Sequence, residues 1–205
     1  MKTEQLGPYT LSWPEGVFPL GGDALALGEF AAVKPRWQVC DLGTGSGALL
    51  LLLLHREPSL VLHGIDRDAL SAQTAGENLQ RNGLSGTILC GDLREAPFSA
   101  GQFDLVISNP PYFPVGSGHD AGPFRSETFC TLEELCKSAA RLLKNGGRFT
   151  LCHRPERLAD VMCALRAHNL EPKRMKLVSH SPRHAPSLLL VEAVRQGRPG
   201  LTIEP

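Results

Sequence analysis

The segment Ser108-Asn109-Pro110-Pro111-Tyr112 combines residue types that can hold a planar polar group. Neither proline has a backbone N–H, so the prolines offer only carbonyl acceptors, to which Asn109 adds its amide oxygen. Pro110 keeps Asn109 out of the helical region, and Tyr112 supplies an aromatic face nearby. Convergent acceptors beside a flat ring suit a group that carries an NH₂, such as the edge of adenine or a primary amide. The alternative interpretation is a proline-stiffened turn with a core tyrosine.

A second motif is the loop from Asp41 to Gly47, which reads D-L-G-T-G-S-G. A dinucleotide-binding fold instead has G-x-G-x-x-G, followed by a helix whose N-terminus holds a pyrophosphate. Here the glycines are spaced G-x-G-x-G, and Asp41 lies two residues before the first of them. A carboxylate at this turn repels a pyrophosphate but attracts an ammonium or a sulfonium. The glycines let the backbone approach such a ligand closely.

Asp41, Asp66 and Asp92 each follow an apolar, strand-like run, and Asn109 follows a fourth run. Ligands of parallel sheets bind outside the carboxyl ends of the strands, so we expect one cleft to collect all four side chains. Asp66 lies 21 residues after Gly45, where a carboxylate can accept both hydroxyls of a ribose, and Asp92 can accept from an adenine amine. Three strand ends carry an acidic residue and none carries a basic one, a pattern that favours a cationic nucleoside. It predicts S-adenosylmethionine as the cofactor. Each aspartate by itself could equally be a helix cap or a solvated strand end.

The elements that must position these residues follow from the apolar periodicity. Strands are expected at residues 36–40, 61–65, 87–90, 103–108 and 148–152, with a hairpin-like pair at 175–179 and 188–194. Helices are expected over residues 24–30, 48–56, 69–81, 132–143 and 156–168, the first with Asp23 as its N-cap. Residues 1–18 indicate an irregular arm. Apolar strands that alternate with helices predict an α/β fold: a seven-stranded, mostly parallel sheet with helices on both faces.

The length of 205 residues and the 42% apolar composition predict a single domain over residues 1–205. In it an arm and a helix over 1–36 are expected to precede the α/β core over 37–205. The leucine run from Leu49 to Leu54 is too short to span a bilayer, and no secretory signal precedes it. The six cysteines form no C-x-x-C pair, which favours a reduced, cytoplasmic protein without a metal site. We expect no membrane partner, and either a monomer or a weak homodimer.

Charge is distributed unevenly although the net charge is zero. Residues 1–135 carry 8 basic and 16 acidic side chains, and residues 136–205 carry 13 and 5. A basic half beside an acidic half that could hold a cationic cofactor is compatible with a nucleic-acid partner. The alternative is that these basic residues form ordinary solvated helix faces.

The motifs D-L-G-T-G-S-G, I-D-R-D, G-D-L and S-N-P-P-Y, in this order, resemble the class I S-adenosylmethionine-dependent methyltransferases that act on exocyclic or amide nitrogen. The segment G-G-D-A-L-A-L-G-E-F and the closing G-R-P-G-L-T-I-E-P are similar to the tRNA1(Val) adenine-N6 methyltransferase family in particular. The resemblance implies a Rossmann-like, seven-stranded fold. It also implies methylation of an adenosine in RNA, the one just 3′ of a tRNA anticodon.

The resemblance also implies roles for individual residues. Those expected to bind the cofactor are Asp41, Gly43, Thr44, Gly45, Gly47, Asp66, Asp92, Leu93 and Asn109. Catalysis is expected from the Asn109 amide and the Pro110 carbonyl, which would grip the target amine, and from Tyr112, which would stack on its base. Pro111 and Arg125 are expected on the substrate side, Arg125 within the long loop 113–129.

Two other functions are compatible with these motifs. A protein-glutamine N5 methyltransferase uses the same Asn-Pro-Pro-Tyr device on a primary amide, but it carries a helical substrate domain before the glycine loop, where only 40 residues precede Asp41 here. A non-catalytic nucleotide-binding domain on this fold is the other alternative. The intact glycine loop and the intact Asn109 argue against it, since loss of catalysis leaves one motif decayed.

Overall fold

Strands and helices alternate along most of the chain, as the apolar periodicity requires. The computed structural model describes residues 1–110, 130–179, 181 and 184–205. The strands in this part are β1 (Lys2–Leu6), β2 (Tyr9–Trp13), β3 (Gln38–Leu42), β4 (Val61–Asp66), β5 (Gly86–Cys90), β6 (Phe103–Ser108), β7 (Leu143–His153), β8 (Leu170–Val178), β9 (Leu188–Arg195) and β10 (Thr202–Glu204). The helices are α1 (Gly22–Phe30), α2 (Ala48–Arg56), α3 (Ala69–Arg81), α4 (Leu132–Leu142) and α5 (Leu158–Ala167).

The central sheet has the strand order β10-β8-β9-β7-β6-β3-β4-β5. The five strands from β7 to β5 run parallel, and β9 is antiparallel to both of its neighbours. The predicted α/β fold with a mostly parallel sheet and a C-terminal hairpin is therefore confirmed. Among the described residues, the sheet contains an eighth strand, β10, beyond the seven expected. Apolar periodicity did not predict β10 because it is a three-residue edge strand with a single apolar residue, Ile203.

Successive residues of the central strands face two separate cores. Val39 and Leu105 belong to the core with α1, α2, α3 and the β1–β2 hairpin, whereas Cys40 and Val106 belong to the core with α4 and α5. This division follows from the two-residue repeat of a strand, whose side chains alternate between faces. The predicted placement of helices on both faces is confirmed. None of the described helices combines the length and apolar character that a membrane crossing demands.

Two expectations for the N-terminal segment are wrong. Residues 1–18 are not irregular, since β1 and β2 pair as an antiparallel hairpin around Gly7, whose φ is +60°. Apolar periodicity does not reveal β1 because its first four residues are exposed and polar, and only Leu6 enters the core. Asp23 is not the N-cap of α1, because that position falls to Gly21. Asp23 lies in the first turn, where a carboxylate still interacts favourably with the helix dipole.

Candidate active site

The carboxyl ends of β3, β4, β5 and β6 lie side by side because these strands are parallel neighbours. They border a cavity of about 470 Å³, a size typical of small-molecule sites. Asp41, Asp66, Asp92 and Asn109 all line this cavity. The fold thus gathers in one place the four polar side chains that the sequence singled out.

The glycine loop between β3 and α2 is held in a conformation that requires glycine. Gly43, Gly45 and Gly47 have φ angles of +80°, +54° and +81°, in the left-handed region that disfavours any side chain. The N–H groups of Gly43 and Thr44 both donate to the Ile65 carbonyl, at 2.9 and 3.1 Å, which anchors the loop to β4. Gly43, Thr44 and Gly45 line the cavity. Gly47 is outside that lining and packs against α3, where an added Cβ would lie 3.2 Å from a side chain.

Asp41 is an ionisable side chain buried without a hydrogen-bond partner. Asp41 is 1% exposed, and neither of its carboxylate oxygens accepts a hydrogen bond from a residue that the structure describes. Burial raises the pKa of Asp41 to about 7; the Thr44 hydroxyl opposes this rise and the Asp66 carboxylate adds to it. The Thr44 hydroxyl lies close enough to influence that pKa, but the structure shows no hydrogen bond between it and Asp41. A buried carboxylate in this state is costly unless a cation completes it, so the site fits the ammonium or sulfonium of S-adenosylmethionine.

Asp66 holds the glycine loop while it faces the cavity. Its Oδ2 accepts the Gly45 N–H at 2.8 Å, and its Oδ1 accepts the Asp68 N–H at 2.9 Å. Burial raises the pKa of Asp66, and these two hydrogen bonds oppose the rise. Each carboxylate oxygen has a second acceptor position. The geometry is therefore compatible with the expected ribose contact, and it gives Asp66 a structural task that the sequence did not reveal.

Asp92 has a charged partner that the sequence analysis did not foresee. It caps the short 3₁₀ turn that begins at Leu93, and its two oxygens accept from Arg94 at 2.5 and 2.9 Å. The Arg94 guanidinium lowers the pKa of Asp92, and it also pairs with Glu134 of α4 at 3.0 Å. Asp92 and Leu93 both line the cavity. Any contact from Asp92 to an adenine amine would share the carboxylate with Arg94.

Asn109 lies at the end of β6, half-buried, with its amide oxygen in a fixed position. The Cys152 thiol of the neighbouring strand β7 donates to Asn109 Oδ1, with Sγ 3.0 Å away. The Ser108 hydroxyl donates to the Leu42 carbonyl at 2.7 Å, which ties the tip of β6 to the tip of β3. Pro110 follows and also lines the cavity. Asn109 is thus positioned by both of the strands that flank β6.

Three of the expected site residues, Pro111, Tyr112 and Arg125, lie outside the residues that the structure describes, as does the loop 113–129. Their roles stay predictions. Within the described ranges, no group of three or more His, Cys, Asp or Glu side chains is arranged to hold a metal ion.

The cavity also includes residues that the sequence analysis did not assign to the site. Phe18, Leu20 and Asp23 reach it from the segment that leads into α1, and His153 reaches it from the end of β7. His153 is 1% exposed, and burial lowers its pKa to about 4. Its Nδ1 accepts the Arg154 N–H at 2.9 Å, as a neutral imidazole does. The strand-tip rule could have found His153, since it ends the strand next to β6 in the sheet.

This sheet order, with the glycine loop and the acidic strand tips, defines a class I S-adenosylmethionine-dependent methyltransferase. The chain belongs to the methyltransferase small domain family, whose model matches residues 22–164. The resemblance drawn from the motifs is confirmed, and so are the enzymatic activity and the cofactor that it implied.

Similar proteins of known name include two tRNA1(Val) (adenine(37)-N6)-methyltransferases. The protein of Porphyromonas gingivalis is 30% identical over 189 residues, which cover 84% of this chain and 73% of the relative. The protein of Bacteroides thetaiotaomicron is 30% identical over 197 residues, which cover 91% of this chain and 81% of the relative.

Solved structures at lower identity share the fold. Protein Atu636 of Agrobacterium tumefaciens, described as a predicted O-methyltransferase, has a TM-score of 0.73 at 23% identity and covers 88% of this chain and 84% of its own. A 16S rRNA guanine-N2 methyltransferase of T. thermophilus, solved with AdoMet and guanosine, has a TM-score of 0.66 at 23% identity. That match covers 91% of this chain and 47% of the other.

Proposed function

We propose that this enzyme transfers a methyl group from S-adenosylmethionine to the N6 amine of an adenine in RNA, at a tRNA position like the one named for its relatives. The observation that carries the proposal is the shared cavity of Asn109, Asp41 and Asp66. One end of this set offers an amide oxygen to an NH₂ group, and the other offers carboxylates to a cationic nucleoside. The similarity to tRNA1(Val) (adenine(37)-N6)-methyltransferases over 84–91% of the chain supports adenine in tRNA as the target.

Asp41, Asp66 and the glycine loop would hold the cofactor, which supplies an electrophilic methyl group on a positively charged sulfur. The exocyclic amine of adenine is a poor nucleophile because its lone pair is delocalised into the ring. The Asn109 oxygen and the Pro110 carbonyl would accept its two N–H groups, which favours a pyramidal nitrogen and stabilises the positive charge that develops on it. Positioning then supplies much of the acceleration, and no strong general base is required.

Cys152 has a supporting role in this mechanism. An amide oxygen has two acceptor positions, and the Cys152 thiol occupies one of those on Asn109. Because the thiol fixes the oxygen before the substrate arrives, less side-chain entropy is lost when the amine binds.

Access of the target base requires it to leave its stack in the RNA, at a cost of a few kcal/mol. We propose that Tyr112 recovers part of this cost by stacking on the base, and that Pro111 and Arg125 contact the substrate around it. The proposal also places the enzyme in the cytoplasm, where tRNA is modified, as a single domain that acts as a monomer or a weak homodimer.

The experiment that tests the target is transfer of a labelled methyl group from S-adenosylmethionine to separate pools of tRNA, rRNA, DNA and protein. We expect label in tRNA, and digestion followed by mass analysis should identify N6-methyladenosine. Label confined to protein, on glutamine, would replace this function with the amide-methylating alternative. Label in another nucleoside would be consistent with a methyltransferase but would contradict adenine as the target base.

The role of Asn109 is tested by Asn109→Ala. Loss of a fixed acceptor for developing charge should lower kcat by roughly 100-fold or more. The Kd for S-adenosylmethionine should change by only about twofold, as isothermal titration calorimetry would measure, because Asp41, Asp66 and the glycine loop would contribute most of the cofactor binding. Asn145→Ala is a matched control, because Asn145 is exposed near the start of β7, at the end of the strand opposite to the cavity. Near wild-type turnover in Asn109→Ala would show that the Asn109 amide has no part in catalysis.

A further inference from the structure

The N-terminal hairpin is bound to α3 by two asparagines one helical turn apart. Asn78 Oδ1 accepts the Ser12 N–H at 3.0 Å, and its Nδ2 donates to the Ser12 carbonyl at 2.8 Å. Asn82 makes the same pair of contacts with Thr10, both at 2.8 Å. Four residues of helix rise about 6 Å, and two residues of strand rise about 6.8 Å. The spacing of the two asparagine amides therefore matches the spacing of Thr10 and Ser12, whose backbone N–H and C=O groups face α3. The side chains complete a strand edge that would otherwise lack partners.

Asn78 contacts the glycine loop, and Asn82 does not. Its Nδ2 also donates to the Ser46 carbonyl at 2.9 Å, whereas the second hydrogen bond from Asn82 Nδ2 goes to the Asn78 carbonyl within the helix, at 2.7 Å. Ser46 belongs to the glycine loop and lines the cavity. Asn78 is 1% exposed and Ser46 4% exposed, so water does not replace this contact in the folded protein.

Ser46 lies between Gly45 and Gly47, two of the three glycines of the loop, and glycine is the residue with the greatest backbone freedom. A hydrogen bond to the Ser46 carbonyl restricts the orientation of that peptide and hence the path of the loop. A loop that is ordered before its ligand arrives loses less conformational entropy when the ligand binds. The N–H of Gly45 on the same loop is already held by Asp66, so Asn78 fixes the far side of the turn.

We infer that Asn78 is a positioning residue for the cofactor, through which the N-terminal hairpin holds the glycine loop in its binding conformation. The hairpin would then belong to the cofactor site although none of its residues contacts the cavity. This inference concerns cofactor affinity and is independent of which base or amide receives the methyl group.

Asn78→Ala and Asn82→Ala form a matched pair for testing it. Asn78→Ala removes four side-chain hydrogen bonds, one of them a long contact of 3.4 Å from Arg81 Nη1, and Asn82→Ala removes three. Each variant loses two hydrogen bonds to β2, but only Asn78→Ala loses the one to the glycine loop. We expect Asn78→Ala to raise the KM for S-adenosylmethionine about tenfold and to leave kcat at saturating cofactor within about twofold. Asn82→Ala should leave both constants within about twofold. Equal changes in KM for the two variants would reduce Asn78 to a structural contact.

A measurement on the wild-type protein decides the matter if Asn78→Ala does not fold. Coupling between two sites is reciprocal, so cofactor binding should stabilise the contact between the hairpin and Asn78. Amide hydrogen exchange should then slow more at Ser12, whose N–H is held by Asn78, than at Thr10, whose N–H is held by Asn82. Equal slowing at the two amides, or none, would overturn the inference.

Discussion

Asp41 is the residue at which stability and ligand binding conflict most directly. Its carboxylate is fully enclosed and unpaired, which destabilises the ionised form in the unliganded protein. In the proposed function a cationic cofactor binds beside Asp41, and its positive charge would remove that penalty. The free energy that the fold loses at Asp41 would then be recovered when the cofactor binds.

The affinity for S-adenosylmethionine should depend on pH through Asp41. Its pKa is about 7 without a ligand, and a bound cation would lower it. The unliganded protein then holds a proton that it must release on binding, so affinity should fall as the pH decreases below 7, by up to about tenfold per unit. Above about pH 8 the contribution of Asp41 should be constant. Calorimetry between pH 5.5 and 8.5 would measure this.

Asp41→Asn is the control for that profile. The Asp66 pKa is also raised by burial, so a shallower slope should remain in the variant. A slope in Asp41→Asn as steep as in the wild type would assign the proton to another group.

Asp41→Asn should also stabilise the unliganded protein at high pH. The pKa of this carboxyl lies higher in the folded state, at about 7, than its ordinary 3.8. A shift in this direction stabilises the fold below the unfolded pKa, and the stability is lost as the pH rises toward the folded pKa, at about 1.4 kcal/mol per unit. We expect the variant to exceed the wild type by roughly 2–4 kcal/mol at pH 8 and by much less at pH 4. Thermal unfolding without cofactor at the two pH values would check the sign, and a larger gain at pH 4 would contradict it.

At the scale of elements, a buried carboxylate joins the C-terminal strands to α1. Glu192 of β9 is fully buried and pairs with Arg148 of β7 and, at 3.1 Å, with Arg174 of β8. It also accepts the N–H of Ala32, just after α1, at 3.3 Å. Arg174 extends the network to Glu204 of β10 at 2.8 Å. This side of the sheet is thus held by charge pairs as well as by apolar packing.

Glu192→Ala should destabilise the protein by about 3–5 kcal/mol, because it leaves two arginines without their buried partner. Glu204→Ala is the matched control, since Glu204 pairs with the same Arg174 but is 30% exposed, and its removal should cost about 1 kcal/mol or less. Urea unfolding of both variants measures the difference. Equal losses would show that burial does not determine the strength of this network.

At the scale of the whole molecule, the basic half of the chain is less available to RNA than its charge suggests. All five acidic residues of segment 136–205 pair with arginines of the same segment: Glu156, Asp160, Glu171, Glu192 and Glu204. The net excess of 8 positive charges is therefore carried by the basic side chains that are outside these ion pairs. The paired arginines contribute to the structure through their carboxylate partners.

RNA binding should still weaken with salt, with a slope of log K against log salt of about −0.7 to −0.9 for each phosphate contact. Arg154 follows the tip of β7 beside Asn109, on the side where the proposed function would bring RNA. Its ion pair with Glu156 is exposed on both sides and therefore weak, so Arg154→Gln should reduce the magnitude of that slope by at most about one contact. Arg36→Gln is the control, because Arg36 is exposed and precedes β3, at the amino ends of the parallel strands and away from the cavity. Filter binding from 50 to 200 mM salt would test this, and a flat response in the wild type would exclude a docking face built on basic residues.

Much of the site could be predicted because it depends on short-range pattern. Apolar runs located β3, β4, β5 and β6, and the carboxyl-end rule then placed Asp41, Asp66, Asp92 and Asn109 together. The β1–β2 hairpin and β10 were missed because their exposed strands carry little apolar periodicity. They are stabilised by partners distant in sequence, α3 and β8 respectively.

The sequence by itself determined the order of elements, the glycine loop and the identity of the acidic tips, since each is encoded by residues close together in the chain. Only the tertiary structure decided which distant residues meet these tips: the Gly45 amide binds Asp66, Glu134 binds the Arg94 that pairs with Asp92, and Asp41 has no hydrogen-bond partner among the described residues. It also decided the contacts from Cys152 to Asn109 and from Asn78 to Ser46. The physical reason is that hydrogen bonds and burial depend on which distant residues meet, and local periodicity does not specify that.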